Sequence, residues 1–229
     1  MPSLRLRRPH LEERFELLGD AVVAADRPAL RSEVYPVREK STGAERALRL
    51  WRKTGTPLDD DLRALWLHEQ RQVQRLMASS GAPEVIVDVL EFVEDDEEFG
   101  VVLEDAGQQL SRFLPRASRG HWTRNLAGSR PRTLLWRNLR RVAQAIGLIH
   151  ANGLVHGNVR AEVVMTRGAE EPDFQLGGFE WSLWFAAPTG TPSQPALGPS
   201  APRPEAYSFA ADWRAFDAFA AAFFESAPI

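Results

Sequence analysis

The chain has 229 residues, of which 44% are hydrophobic and 26% charged, with 28 Lys+Arg against 31 Asp+Glu and a formal net charge of −3. This is the balance of a globular protein large enough to bury a core, which excludes wholesale disorder and a covalently stapled mini-protein. The absence of Cys excludes disulfides, thiolate metal sites and cysteine nucleophiles, and the five scattered His offer no paired spacing for a zinc cage.

The first residues, Met1-Pro-Ser-Leu-Arg-Leu-Arg-Arg, run into charge without the apolar core of a leader peptide. No stretch nears the ~20 apolar residues of a bilayer span, so a cytoplasmic protein with no membrane partner is expected. Phe15 to Val23 is largely apolar, Arg31 to Arg38 alternates, Thr42-Gly43 supplies a turn, and Arg46 to Arg52 alternates again. These read as three antiparallel strands. Asp59-Asp-Asp opens a helix whose Leu62, Leu65, Trp66, Glu69, Val73 and Leu76 recur at three- and four-residue spacing, with acids at the positive end of its dipole. Ser79-Ser-Gly-Ala-Pro closes it. Val85 to Val93 and Phe99 to Glu104, around the acidic turn Glu94 to Glu98, complete a five-stranded antiparallel sheet with one helix.

The second half changes character. Leu110 to Leu114 reads as a short helix, and Pro115 to Arg132 as a polar, Arg-rich excursion. Leu134 to Asn152 is a long helix with Leu135, Leu139, Val142, Ile146 and Ile149 on one face, stopped at Asn152-Gly153. Two small strands follow, at Val163 to Thr166 and Phe174 to Gly177, and the proline-rich stretch 188–204 is incompatible with regular structure. The last helix runs from Asp212 to Glu225. Charge is segregated: Glu84 to Asp105 carries ten acids and no base, whereas Ala106 to Ala161 carries ten Arg and no acid.

This order of elements resembles the protein kinase fold, and particular residues sharpen the resemblance. Glu33-Val-Tyr with the later Ala47-Leu-Arg is similar to the second and third kinase strands, and Val155-His-Gly-Asn is similar to the catalytic loop that normally reads His-Arg-Asp. Arg203-Pro-Glu stands at the Ala-Pro-Glu position, and Asp212-Trp213 opens the following helix. The resemblance implies an α+β, two-lobe protein: an extension over 1–14, an N-lobe over 15–104, and a mainly helical, incomplete C-lobe over 105–229, with an Arg-rich insertion over 115–132 and a proline-rich loop over 188–204.

It also implies which chemistry is missing. Phosphoryl transfer needs phosphates cradled by glycine backbone, metal ligands, and a carboxylate to orient the attacking hydroxyl. The three loop glycines fall at Arg27, Ala29 and Ser32; Arg49 replaces the phosphate-binding Lys; Asn158 replaces the catalytic Asp. Val163 replaces the metal-binding Asn, and Gly178 the metal-binding Asp, while Glu162 and Glu180 sit displaced from those positions. The framework set Glu69, His156, Phe179, Glu205 and Asp212 persists, with an Arg49–Glu69 pair expected to fill part of a vestigial cleft lined by Ala47, Leu103 and Glu104. Neither cofactor nor metal is expected, and any nucleotide binding would be metal-independent.

The resulting expectation is a bacterial-type pseudokinase acting as a regulatory or scaffolding module, with no enzyme activity. Trp213, Phe216, Phe219, Phe223 and Phe224 are expected to present an apolar interaction surface. It would be covered by a protein partner, by further domains of the same polypeptide, or by a second copy. Two other readings stand beside it: a kinase-fold enzyme of non-standard nucleotidyl or phosphoryl transfer, and a nucleic-acid-associated module using the Arg-rich surface.

Overall fold

The computed structural model describes residues 9–23, 32–179, 183–184 and 208–225. Arg27, Ala29, Glu180, Glu205 and the proline-rich stretch 188–204 lie outside the described residues. The protein is mixed α+β, and its chain divides into two compact units.

The first unit comprises, among described residues, 9–23, 32–67 and 88–105. After the short helix α1 (Pro9–Arg14), strands β1 (Phe15–Leu17), β2 (Val22–Val23), β3 (Glu33–Glu39) and β4 (Glu45–Arg52) form one antiparallel sheet with β5 (Val89–Glu94) and β6 (Glu98–Glu104). The order is β1-β3-β4-β6-β5, and β2 pairs with the same β3 as β1 does, so β1 and β2 are two pieces of the single first strand expected over 15–23. Alternation sends Leu48, Leu50, Val37 and Val102 to one face, where they join Phe15 and Leu11 of α1 in a buried cluster. On the other face Trp51 pairs in register with Phe99, and Trp66 of α2 (Leu58–Met77) packs its ring on Phe99 and Phe92 while its indole N–H donates to the Gly100 carbonyl at 2.9 Å. With both faces covered, Leu48 to Trp51 is buried continuously, Arg49 included.

The second unit holds 68–87, 106–179, 183–184 and 208–225 among described residues. Its spine is α5 (Ser129–Ala151), whose expected apolar face is buried and is joined by Leu134, Asn138 and Ala145. The helix stops where Gly153 takes φ +72°, a conformation costly to residues with a Cβ. Strands β7 (Gln108–Gln109), β9 (Val164–Thr166) and β10 (Gln175–Leu176) form a small antiparallel sheet in the order β10-β9-β7, and β8 (Leu154–Val155) pairs with β11 (Leu183–Trp184). The last helix, α6 (Phe209–Glu225), begins one turn earlier than its periodicity suggests.

Three expectations are corrected. Val85 to Val93 is not one strand: Gly81 at φ +81° and Pro83 near the helix start close a turn, α3 (Ala82–Val85), and only Val89 onward joins the sheet. Ile86 instead bridges to Leu176 in the second unit. The polar stretch 115–132 is mostly exposed, but it is not without regular structure or a core anchor. Helix α4 (Leu110–Arg116) extends into it, a 3₁₀ turn spans Trp122–Arg124, and Trp122 and Leu126 are buried. The Trp122 indole lies on Phe174 at 6.2 Å and donates to the Ala169 carbonyl at 3.0 Å. Finally, the apolar surface of the last helix is narrower than expected. Of the five expected residues Phe219 and Phe223 are buried and Phe216 is half-buried, which leaves Trp213 (41%) and Phe224 (39%) substantially exposed, with Phe209 (41%) at the start of the same helix.

Candidate functional site

The site grows from the loop that follows β8. A two-residue strand leaves His156, Gly157 and Asn158 with backbone N–H groups that no ladder satisfies, and burial makes such groups costly unless a side chain accepts them. Asp212, 1% exposed on α6, does so for two of them: its Oδ2 accepts from His156 N at 2.8 Å and its Oδ1 from Gly157 N at 2.8 Å. The same Oδ2 accepts from Nε2 of His150 at 2.9 Å, and that ring stacks on Phe209 at 4.4 Å. One carboxylate therefore ties the end of α5, the loop and α6 together.

His156 is wholly buried, and its tautomer follows from its partners. The Asn158 backbone N–H donates to Nδ1 at 3.2 Å, so Nδ1 carries a lone pair. Nε2 must then carry the proton, which it donates to the Gly177 carbonyl at 2.8 Å. The ring stands edge-on to Phe179 at 5.1 Å. Both ring nitrogens are therefore engaged inside the unit.

Behind the loop, Val163 and Gly178 are fitted to each other. Gly178 has φ +77°, and a methyl carbon placed on it would stand 2.5 Å from Val163 Cγ1 and 3.8 Å from Asn158 Nδ2. The valine methyl occupies the space that a side chain at 178 would need. Val163 has no oxygen to offer and is itself 9% exposed. Glu162 lies at the surface with its carboxylate 3.8 Å from the Arg160 guanidinium, side chains 44% and 42% exposed. Among the described residues no three His, Asp or Glu side chains gather as a metal-binding group. A hard divalent cation takes oxygen ligands, and the side chains of Asn158, Val163 and Gly178 supply one amide oxygen among them.

The structure thus brings together His156, Asn158, Val163, Gly178, Phe179 and Asp212. The other expected positions are described within their own units. In the first unit Ala47 and Leu103 are register partners on β4 and β6, Glu104 is exposed with its N–H donating to the Asp88 carbonyl at 2.9 Å, and the buried Arg49 guanidinium lies 4.5 Å over the Trp51 ring. Glu69, 2% exposed, is on the part of α2 that belongs to the second unit.

Two supporting residues escaped sequence reasoning. His150 was hidden in the last turn of α5, where a cation is ordinarily read as a dipole partner. Asn138, fully buried, accepts from the backbone N–H groups of Asp173 and Phe174 at 2.9 and 3.0 Å and donates to the Leu134 carbonyl at 3.1 Å. Its signal was available: it interrupts the apolar stripe Leu134, Leu135, Leu139, Val142 of α5, where a lone amide needs partners.

No protein-family model matches this sequence, and a search of curated proteins returned no relative. No helix of the described residues is long and apolar enough to cross a membrane.

Proposed function

We propose that this chain is a pseudokinase, a protein-kinase-like two-lobe protein that acts as a protein-interaction module in regulation or scaffolding and transfers no phosphoryl group. The observation that carries the reading is the fit of Val163 into the place of a side chain at Gly178. By the resemblance to kinases these stand at the two metal-ligand positions, and here they meet in one apolar contact. The bracing around them supports the same reading. Asp212 holds the loop backbone and His156 bridges to Gly177 and Phe179, so the framework persists where the ligands and the carboxylate base do not.

The test is incubation of the full chain with radiolabelled ATP and Mg²⁺ or Mn²⁺, with and without a general protein substrate. The expected result is no label above a protein-free blank and no metal-dependent rise in melting temperature. Transfer that is abolished by Glu162→Gln would overturn the reading, because that residue is the carboxylate nearest in sequence to the lost ligand.

A further inference from the structure

We infer that a groove in the second unit binds a helical segment of a partner protein, apolar along one side and acidic along its edges. The inference rests on the reading of the chain as a protein-interaction module, whose binding surface it specifies.

The groove encloses ≈ 940 Å³, and its floor is one face of α6. Ala215, Ala218 and Ala222 recur there at three- and four-residue spacing, which puts them along one line of the helix. Side chains this small let another backbone approach closely, and Ala218 and Ala222 are exposed. Leu114 of α4 and Val159 of the loop after β8 line the walls, so apolar anchors entering the groove find apolar surface.

Charge selects among apolar occupants. The lining contains Arg124 and Arg160 and no carboxylate among the described residues. All six wall residues come from Ala106 to Ala161, the stretch with ten Arg and no acid. The five floor residues are alanine and phenylalanine, and at ~100° per residue the exposed Asp217 of α6 falls on the far side of that helix. Arg124 is held in place by donating to the Leu114 and Pro115 carbonyls at 2.9 and 3.0 Å, which fixes the guanidinium without neutralising it. Arg160 lies beside it in the lining, 3.8 Å from the surface carboxylate of Glu162. An acidic edge is therefore attracted and a basic one repelled.

Single-stranded nucleic acid fits less well. It needs exposed rings on which bases stack, and the two phenylalanines of the floor, Phe219 and Phe223, are buried at 7% and 5% exposure. The proline-rich stretch 188–204 of this chain contains no Asp or Glu and so lacks the acidic edge.

The experiment uses the full chain and a fluorescein-labelled synthetic helix with leucine along one side and glutamate on both flanks, followed by anisotropy at physiological salt. A twin peptide with lysine for glutamate, and single-stranded DNA, are the comparisons. The glutamate peptide binds, and the lysine twin binds at least about tenfold more weakly. Ala218→Trp, which fills the floor from an exposed position, weakens the glutamate peptide at least about tenfold, and Arg124→Glu weakens it as well. Arg137→Glu, on the exposed face of α5, leaves it unchanged. The inference is overturned if the glutamate peptide fails to bind, if the two peptides bind alike, or if DNA displaces the peptide at equal concentration. It is overturned equally if Ala218→Trp leaves affinity intact in protein of unaltered melting temperature. Failure here leaves the ATP result standing, and ATP turnover would leave peptide binding in the groove standing, so the two readings fail separately.

Discussion

The two units hold their shapes by different means. In the first, the sheet is specified by alternating apolar residues, and many of its polar contacts are side-chain pairs, exposed for Arg38 with Glu16 and Glu45 at 3.3 Å each and partly buried for Arg14 with Glu39 at 3.1 Å and Lys53 with Glu94 at 3.2 Å. In the second, buried polar side chains bind backbone: Asp212 to His156 and Gly157, Asn138 to Asp173 and Phe174, His156 to Gly177. Exposed pairs are worth about 0–1 kcal/mol because solvent and salt screen them. Removing one member of a buried network leaves donors that neither water nor protein satisfies, at about 1–3 kcal/mol each. The second unit should therefore be the more fragile to single polar substitutions, although it carries the less regular structure.

The sharpest test of that contrast is Asp212→Ala, which orphans the N–H groups of His156 and Gly157 and the Nε2–H of His150 together. A loss of about 4 kcal/mol is expected, read as a fall in the urea midpoint. Next comes Gly178→Ala, which combines a positive φ with the clash on Val163 and should cost about 3 kcal/mol. In a Val163→Ala background that cost should shrink by about 1 kcal/mol, because the clashing methyl is gone; strict additivity would refute the mutual fit. Asn138→Ala, which orphans the N–H groups of Asp173 and Phe174, should cost about 2 kcal/mol.

The first unit supplies the smaller effects. Burial, together with its hydrogen bond to Glu33, pushes the Tyr35 phenol up to about 12 from an ordinary 10.0. The folded state keeps a proton that the unfolded chain has released, so this contribution is full below pH 10.0 and is lost as the pH rises to about 12. Urea midpoints across that range should fall less steeply for Tyr35→Phe than for the parent. Smallest of all, Arg38→Ala breaks both of its surface pairs and should move stability by under about 1 kcal/mol. A larger loss there than for Asn138→Ala would reverse the comparison.

Much of the architecture was legible in the residues. The spacing of Leu62 to Leu76 and of Leu135 to Ile149 records helices α2 and α5, and the alternation around Arg31–Arg38 and Arg46–Arg52 records β3 and β4, because each pattern states which side of a local backbone meets the core. The loop after β8 and Asp212 are singled out differently, by the resemblance of their motifs to the kinase catalytic loop and the helix that follows it, and not by any local pattern.

What chain order could not supply was the second partner in each contact. Periodicity says that one face is covered; it does not say that both faces of β4 are, which is why Arg49 is buried, or that Phe219 and Phe223 turn inward while Trp213 and Phe224 stay partly in solvent. Nor does it reveal that Val163 fills the space above Gly178, fifteen residues away, or that Asp212 answers donors from two separate segments. Local patterns are set by backbone geometry within a few residues, whereas occupancy of a given volume is decided by whichever distant side chain arrives there. Only the folded chain makes that choice.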